Sequence, residues 1–184
     1  MGERELASLC SRMDGPALEE LYRRYAAKVL ALCLRYVNDD RDEAEDLMHD
    51  TMLKVIKGMG RFSFRGDGSL YAWIRGIAIN LAIDRIRRNS ILNLSPLEEE
   101  TLELPEALTE SVEEIPTDVL SGMISELPGI QRLIVHLYCV DGYSHKEIAH
   151  MLGIKMKTSS SLLAKAKKLL NKKVERYLHP RIRI

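Results

Sequence analysis

Hydrophobic residues recur at three- and four-residue steps along most of the chain, which is the spacing of amphipathic helices. Residues 2–13 predict a short helix with Leu6 and Leu9 on one face. A longer helix of about six turns follows, with Asp14 as its N-cap and Pro16 in its first turn. Its predicted apolar face consists of Leu18, Leu21, Tyr22, Tyr25, Val29, Leu32, Cys33, Tyr36 and Val37.

The next helix follows the polar run 38–40 and continues to about Lys57. Acidic side chains crowd its first turns, where they favour the helix dipole. The glycine-rich stretch GMGRFSFRGDG then predicts a loop. We expect Ser69 to cap a further helix that runs through Trp73 and ends near Arg88.

Helical periodicity returns at about Thr117, and Pro128 interrupts it. A helix over 130–140 follows, and then residues 144–147 have the Ser-x-x-Glu spacing of a capping box. A short helix, a turn at Gly153 and a long helix from about 156 to 178 predict a helix-turn-helix.

Composition supports an all-α protein with two small helical domains, because 46% of the 184 residues are hydrophobic and only 5% are aromatic. The net charge of zero conceals a strong pattern. Residues 1–93 carry 15 basic and 14 acidic side chains, residues 94–118 carry 9 acidic ones and no basic one, and residues 119–184 carry 12 basic and 4 acidic ones. We therefore predict a domain at 1–91, a flexible acidic linker at 92–117 and a basic domain at 118–184.

The chain has no apolar run long enough to span a membrane and no signal-peptide pattern at its start. We therefore expect no membrane insertion and a cytoplasmic location. Cys10, Cys33 and Cys139 each lie among aliphatic residues at wide spacing. We interpret them as buried thiols, so neither a disulfide framework nor a cofactor is predicted.

The predicted helix-turn-helix indicates DNA binding, because the second helix of such a motif presents its N-terminus to base edges. Lys157, Thr158, Ser160 and Ser161 lie at that end, and further lysines follow that suit phosphates. A solvated helix in an ordinary bundle is the alternative. Ser159 occupies a position that is usually apolar in such motifs, and Lys155 stands where a capping oxygen is usual.

A second signal lies in residues 61–88, where both phenylalanines, the single tryptophan and six arginines are interleaved. Aromatic rings among cations suit unstacked bases and a nucleic-acid backbone. Trp73 and Tyr71 could equally be core residues. The glycine-rich loop makes a purely structural role less suitable for Phe64 and Arg65.

Two stretches resemble a known family. EAEDLMHDTMLK, together with RFSFRGDGSLYAWIRGIAINLAIDRIRR, resembles region 2 of extracytoplasmic-function (ECF) sigma factors, members of the sigma-70 family. Residues 126–170, beginning ELPGIQRLIV, resemble region 4 of the same family. The resemblance implies a subunit that binds core RNA polymerase and directs transcription initiation at promoter DNA through −10 and −35 elements. It also implies an anti-sigma partner.

The resemblance further implies three groups of site residues. Those for polymerase docking are Asp46, Leu47, Asp50, Thr51 and Lys54. Those for the −10 element are Arg61, Phe62, Ser63, Phe64, Arg65, Trp73, Asn80, Arg85, Arg87 and Arg88. Those for the −35 element are Lys155, Lys157, Thr158, Ser160, Ser161, Ala164, Lys165 and Lys168.

The chain departs from the family pattern at two places. Residues 159–162 read Ser-Ser-Ser-Leu where the family often has a Val-Lys-Ser-Arg-like stretch, and His49-Asp50 replaces its usual Gln-Glu.

Other functions are less well supported by the sequence. The spacing of His136, Cys139, His145 and His150 is irregular for zinc, and no catalytic motif is present, so neither a metal nor an enzyme is predicted. A ligand- or phosphorylation-controlled helix-turn-helix regulator is the stronger alternative, and a helical adaptor that binds no DNA is another.

Overall fold

The computed structural model describes residues 1–37, 40–89 and 115–179. The chain divides into two compact units, Met1–Ile91 and Leu92–Ile184. All regular elements in these described ranges are helical, which confirms the all-α prediction. The predicted acidic linker lies outside the described residues up to position 114. Within the described part of the chain, no helix has the length and apolar character needed to cross a bilayer.

The described residues of the first unit, 1–37 and 40–89, form four helices and a short 3-10 turn, Met59–Arg61, after the third. The helices are α1 (Glu3–Ser11), α2 (Gly15–Tyr36), α3 (Arg41–Gly58) and α4 (Ser69–Asn89). The predicted cap of α2 is confirmed, because Asp14 accepts a hydrogen bond from the Ala17 N–H at 3.0 Å. Asp40 caps α3 in the same way through the Glu43 N–H.

The core of the first unit lies where α2, α3 and α4 pack against one another, with α1 against α2. It is aliphatic, and each fully buried side chain of this size contributes roughly 1.5–3 kcal/mol. Its fully buried members include Leu6, Leu21, Leu47, Leu70, Ile74, Ile79 and Ile83. One expectation for the apolar face of α2 is wrong, because Tyr22 is 41% exposed. Its hydroxyl lies 3.4 Å from the His49 Nε2 atom instead.

Within residues 115–179, the second unit contains four more helices, with one π-helical turn, His136–Val140, after the second. The helices are α5 (Thr117–Ser125), α6 (Gly129–Val135), α7 (His145–Leu152) and α8 (Met156–Leu178). The predicted interruption at Pro128 is confirmed, since this residue immediately precedes α6. Helix α8 packs on α5, α6 and α7, and Lys173 of α8 pairs with Glu126 after α5.

The core of the second unit is small and aliphatic, with Ile134, Leu137, Ile148 and Leu162 among its fully buried side chains. The prediction of three buried cysteines is wrong for Cys139, which is exposed, whereas Cys10 and Cys33 are buried. Cys139 belongs to the π-helical turn, whose last three residues all face solvent. The wider turn carries them off the buried face that α6 presents.

Candidate nucleic-acid and polymerase interfaces

Residues 62–68 form a loop between the 3-10 turn and α4, which we call the base loop. Gly66 and Gly68 have φ of 120° and 89°, backbone conformations that residues with a Cβ atom rarely adopt. The loop leaves Ser63 and Arg65 exposed, while Phe62 and Phe64 are half-buried. The two glycines thus allow the backbone to turn before α4, and the polar side chains of the loop remain accessible.

Trp73 of α4 supports this loop from one side. Its ring lies 5.1 Å from the Phe62 ring at a tilt of 41°, a favourable aromatic arrangement. A Cβ added at Gly58 would lie 3.1 Å from the indole, so the end of α3 closely approaches the same ring. Trp73 is half-buried, with part of the indole packed and part accessible.

The first turn of α4 is held by a residue near the start of the chain, Glu3, which is distant in sequence but in direct contact. Glu3 accepts hydrogen bonds from the Gly68 N–H at 2.9 Å and the Leu70 N–H at 2.7 Å. The expectation that Ser69 caps this helix is wrong, because Ser69 is its first helical residue and its hydroxyl accepts from the Arg65 N–H at 3.2 Å. Sequence spacing gave no signal for a cap 65 residues away.

A cleft of about 460 Å³ opens beside the base loop. It is lined by Lys54, Lys57, Gly58, Arg61, Trp73 and Ile77. Three cations therefore surround one accessible indole, an environment that suits a phosphate and a stacked base. Lys54, which we assigned to polymerase docking, shares this cleft with two residues assigned to the −10 element. Lys57 was missed, although it lies one turn after Lys54 on the same helix.

The three arginines near the end of α4 differ in their surroundings. Arg85 is half-buried, with its Nε atom 3.4 Å from the Glu43 Oε1 atom and its Nη2 atom 3.7 Å from the Asp46 Oδ2 atom. It therefore ties α4 to α3. Arg87 and Arg88 are exposed, and Asn80, which was also predicted from the sequence for the −10 element, is exposed on the same helix.

The proposed polymerase-docking residues separate into two layers. Asp46, Asp50 and Lys54 are exposed along α3. Leu47 and Thr51 are buried, and the Thr51 hydroxyl donates to the Leu47 carbonyl at 2.7 Å. These two belong to the core and hold the helix in place from beneath. Leu53, which was not among the predicted docking residues, is 54% exposed on the same helix.

In the second unit, α7 and α8 form the predicted helix-turn-helix. Ser144 and Glu147 make both hydrogen bonds of a capping box, and Gly153 ends α7 with φ of 67°. The bond from Ser144 lowers the pKa of the Glu147 carboxyl. Both sequence signals for this motif are thereby confirmed.

The buried Ser159 is satisfied by a histidine rather than by an apolar contact. Its hydroxyl shares a hydrogen bond of 3.0 Å with the His145 Nδ1 atom, and the His145 ring stacks on Tyr138 at 4.5 Å. Burial first, and then the charge of Lys167, lower the pKa of His145. This group explains why a polar residue is tolerated at a usually apolar position.

The proposed −35 residues lie mostly along one accessible side of α8. Lys155, Lys157 and Lys168 are exposed, and four others are half-buried: Thr158, Ser160, Ser161 and Lys165. Ala164 is only 2% exposed and packs in the core, so it is not available to DNA in this structure. Its neighbour Lys165 carries the accessible surface at this turn.

The described residues bring together no cluster of metal ligands. Across residues 1–37, 40–89 and 115–179, no three His, Cys, Asp or Glu side chains come together as metal ligands would. Burial raises the pKa of the Cys33 thiol to about 12, with a smaller opposing effect from Arg85. The thiol form, which is a poor nucleophile and metal ligand, is therefore favoured at this site.

Comparison with known proteins assigns both units to one family. Residues 21–91 match the family model of Sigma-70 region 2, and residues 117–170 match that of Sigma-70, region 4. The chain belongs to the ECF sigma factors of the sigma-70 family. The base loop and α4 lie in region 2, and the helix-turn-helix lies in region 4. Helix α1 precedes the matched part of region 2.

Curated relatives agree with this family. The ECF RNA polymerase sigma factor SigM of Mycobacterium tuberculosis is 29% identical, over 84% of this chain and 75% of its own length. The RNA polymerase sigma-H factor of Pseudomonas aeruginosa is also 29% identical, over 94% of both chains. The ECF RNA polymerase sigma-E factor of Escherichia coli is 28% identical, over 88% of both.

A solved structure shares the fold. CnrH, solved in complex with the cytosolic domain of CnrY, aligns with a TM-score of 0.50 at 20% identity, over 94% of this chain and 97% of its own.

The family matches establish the general function. Sigma factors direct RNA polymerase to promoters, so the predicted function is confirmed at this level. Core RNA polymerase and promoter DNA are the partners that the family implies, and the regulator alternative is not favoured.

Proposed function

We propose a division of labour between the two units of this ECF sigma factor. The first unit docks on core RNA polymerase through the exposed side of α3 and holds an unstacked −10 base at the base loop. The second unit reads the −35 element with the N-terminal half of α8. Because polymerase and promoter DNA are its proposed partners, we place its action in the cytoplasm, as a binding subunit rather than an enzyme.

The cleft beside the base loop is the main support for the −10 assignment. Lys54, Lys57 and Arg61 surround the accessible part of Trp73, and Arg65 extends from the exposed loop. Base stacking on an aromatic ring contributes about 1–3 kcal/mol, and the cations complement a phosphodiester backbone. Arg87 and Arg88 lie exposed farther along α4 and suit the upstream backbone. Phe64 and Asn80 remain candidates for the base itself.

The −35 assignment is supported by the surface of α8. Lys155 and Lys157 are exposed at its N-terminus, where a recognition helix meets base edges. The Ser160 hydroxyl donates to the Lys157 carbonyl at 2.9 Å, so its oxygen retains acceptor capacity. Lys165 and Lys168 follow on the accessible side and suit phosphates.

Charge reversal separates the proposed roles. Lys157→Glu combined with Lys165→Glu is expected to abolish initiation that depends on the −35 element and to leave core-polymerase binding intact. The control, Lys172→Glu with Arg176→Glu, makes the same change of charge roughly 20 Å further along α8 and should retain most initiation.

Asp50→Lys on α3 should instead weaken the binding of the chain to core polymerase. Asp84→Lys on α4 is its control.

Gel filtration with core polymerase and transcription from a mapped promoter measure the two properties separately. Loss of polymerase binding in the α8 double variant would contradict the division of labour. Equal initiation by the two α8 double variants would remove α8 from −35 recognition.

We also infer that a protein inhibitor covers this sigma factor when it is inactive. CnrH, which shares its fold, was solved in complex with the cytosolic domain of CnrY. Deletion of a protein that co-purifies stoichiometrically with this chain, and that is not a subunit of RNA polymerase, should raise transcription of its target genes several-fold. Unchanged target transcription after the deletion would refute the inhibitory role.

A further inference from the structure

Helix α1 lies outside the part of the chain that matches region 2, yet its first residues contact the base loop. We propose that Glu3 and Arg4 are positioning residues of the −10 site: Glu3 fixes the start of α4 and the end of the base loop, and Arg4 fixes the ring of Phe64. The proposal rests on the proposed role of the base loop in −10 recognition.

Glu3 acts as an N-cap for α4, because Gly68, the residue before this helix, has no side chain that could do so. The first backbone N–H groups of any helix lack partners within the helix. Here the Glu3 carboxylate accepts from Gly68 through Oε2 and from Leu70 through Oε1, and its Oε1 atom also lies 3.5 Å from the Ser69 hydroxyl. Hydrogen bonds from N–H groups to a carboxylate are among the stronger ones, and the negative charge suits the helix dipole.

The cap also determines where the base loop ends. Gly68 is the last residue of the loop and has φ of 89°, so the loop reverses direction where Glu3 holds it. The Ser69 hydroxyl then accepts from the Arg65 N–H, which connects the capped turn to the middle of the loop. Loss of the Glu3 carboxylate would therefore loosen the segment from Arg65 to Ser69 at both of its ends.

Arg4 acts on the other aromatic residue of the loop. Its guanidinium carbon lies 5.1 Å from the centre of the Phe64 ring, within the range of a cation–π contact. Arg4 is exposed and Phe64 is half-buried, so the cation covers the ring from the solvent side. This contact restricts the orientation of Phe64 and places a positive charge beside the proposed base site.

The anchor of α1 is independent of the loop. The Arg24 Nη2 group donates to the Met1 carbonyl at 3.0 Å, and Arg24 is itself held by Glu20. Leu6 and Cys10 of α1 are themselves fully buried. Glu3 also lies close to the buried Tyr25, whose pKa is raised by burial first and then by this carboxylate. Glu3 is therefore presented by a rigid element.

The test compares Glu3 with Glu5, an exposed acid in the same first turn of α1. Glu3→Gln, Glu3→Ala and Glu5→Gln each remove one negative charge from that turn, so their effects on the dipole of α1 are matched. Only the Glu3 variants affect the start of α4. Gln retains one acceptor oxygen, so its effect should lie between those of wild type and Glu3→Ala.

The first measurement is hydrogen exchange of the Gly68 and Leu70 amides in the full chain. We expect exchange about tenfold faster in Glu3→Ala and unchanged exchange in Glu5→Gln. The second is initiation with core polymerase on a mapped promoter and on its single-base variants in the −10 element. Glu3→Ala and Arg4→Ala should reduce the difference in initiation between the promoter with the preferred base and the promoters with the other three bases. Binding to core polymerase should be unchanged.

The outcomes distinguish the inference from the function on which it rests. If wild-type protein shows no base preference in the −10 element, the proposed role of the base loop fails and this inference fails with it. If wild type discriminates normally and Glu3→Ala behaves like Glu5→Gln in both measurements, the inference alone is overturned. Circular dichroism of each variant confirms that the helices remain folded.

Discussion

His145 is a single residue on which the stability of the helix-turn-helix depends. It shares a hydrogen bond with the buried Ser159, stacks on Tyr138 and lies near Lys167. An unsatisfied buried hydroxyl costs about 1–3 kcal/mol, so the neutral imidazole contributes directly to packing between α7 and α8.

The second unit should lose stability as the pH falls below about 6.5. Burial and Lys167 lower the pKa of His145 in the folded chain below its ordinary value of 6.5, so the unfolded chain takes up the proton first. The contribution of the neutral ring is therefore present above that value and is lost as the pH falls through the lowered pKa. Thermal unfolding from about pH 7.5 to about pH 5, in wild type and His145→Gln, measures it. An identical pH dependence in the two proteins would contradict this assignment.

Two buried residues of α3 show how a family pattern and a contact surface differ. Leu47 and Thr51 were assigned to polymerase docking together with Asp46, Asp50 and Lys54, yet the structure places both in the core. An amphipathic helix has a buried face and an exposed face, and a family motif read along the helix includes residues of both faces. The sequence therefore predicted the helix itself more accurately than it predicted which of its side chains are exposed to a partner.

At the scale of elements, α7 depends on its capping box. Ser144→Ala removes the bond to the Glu147 N–H and should lower the free energy of unfolding by about 1 kcal/mol. Ser121→Ala, at an exposed position within α5, is the control and should be close to neutral. Urea unfolding followed through amides of α7 measures the difference. Equal stability of the two variants would show that the capping box is dispensable.

Helices with local start and stop signals were predictable, whereas a helix whose signal is distant was not. Asp14, the capping box and Gly153 each act within four residues, so sequence spacing was sufficient. The cap of α4 comes from Glu3 through tertiary packing, and no local pattern contains that information. The same reasoning applies to Cys139, whose exposure depends on a π-helical turn rather than on the aliphatic residues around it.

At the scale of the whole molecule, charge is separated along the chain. Residues 94–118 carry nine acidic side chains and no basic one, whereas residues 119–184 carry 12 basic and 4 acidic ones. A protein with zero net charge can therefore present a strongly basic surface to DNA. Binding through such a surface releases counterions from the phosphates and weakens as salt is added.

Salt dependence tests whether the lysines of α8 meet phosphates. Each lost phosphate contact should reduce the slope of log binding constant against log salt concentration by about 0.9, so Lys165→Gln with Lys168→Gln should reduce it by about 1.8. Promoter binding by the variant bound to core polymerase, measured over a range of KCl concentrations, gives the slope. Arg12→Gln, at an exposed position after α1, should leave it unchanged. An unaltered slope in the double variant would exclude these phosphate contacts.

Run-off transcription tests the central claim most directly. Core RNA polymerase is incubated with genomic fragments in the presence or absence of the full chain, and the transcript starts are mapped. The account predicts discrete starts that require the chain and that share one −10 and one −35 sequence. Starts identical to those of core polymerase alone, with no stable association between the chain and core polymerase, would contradict it.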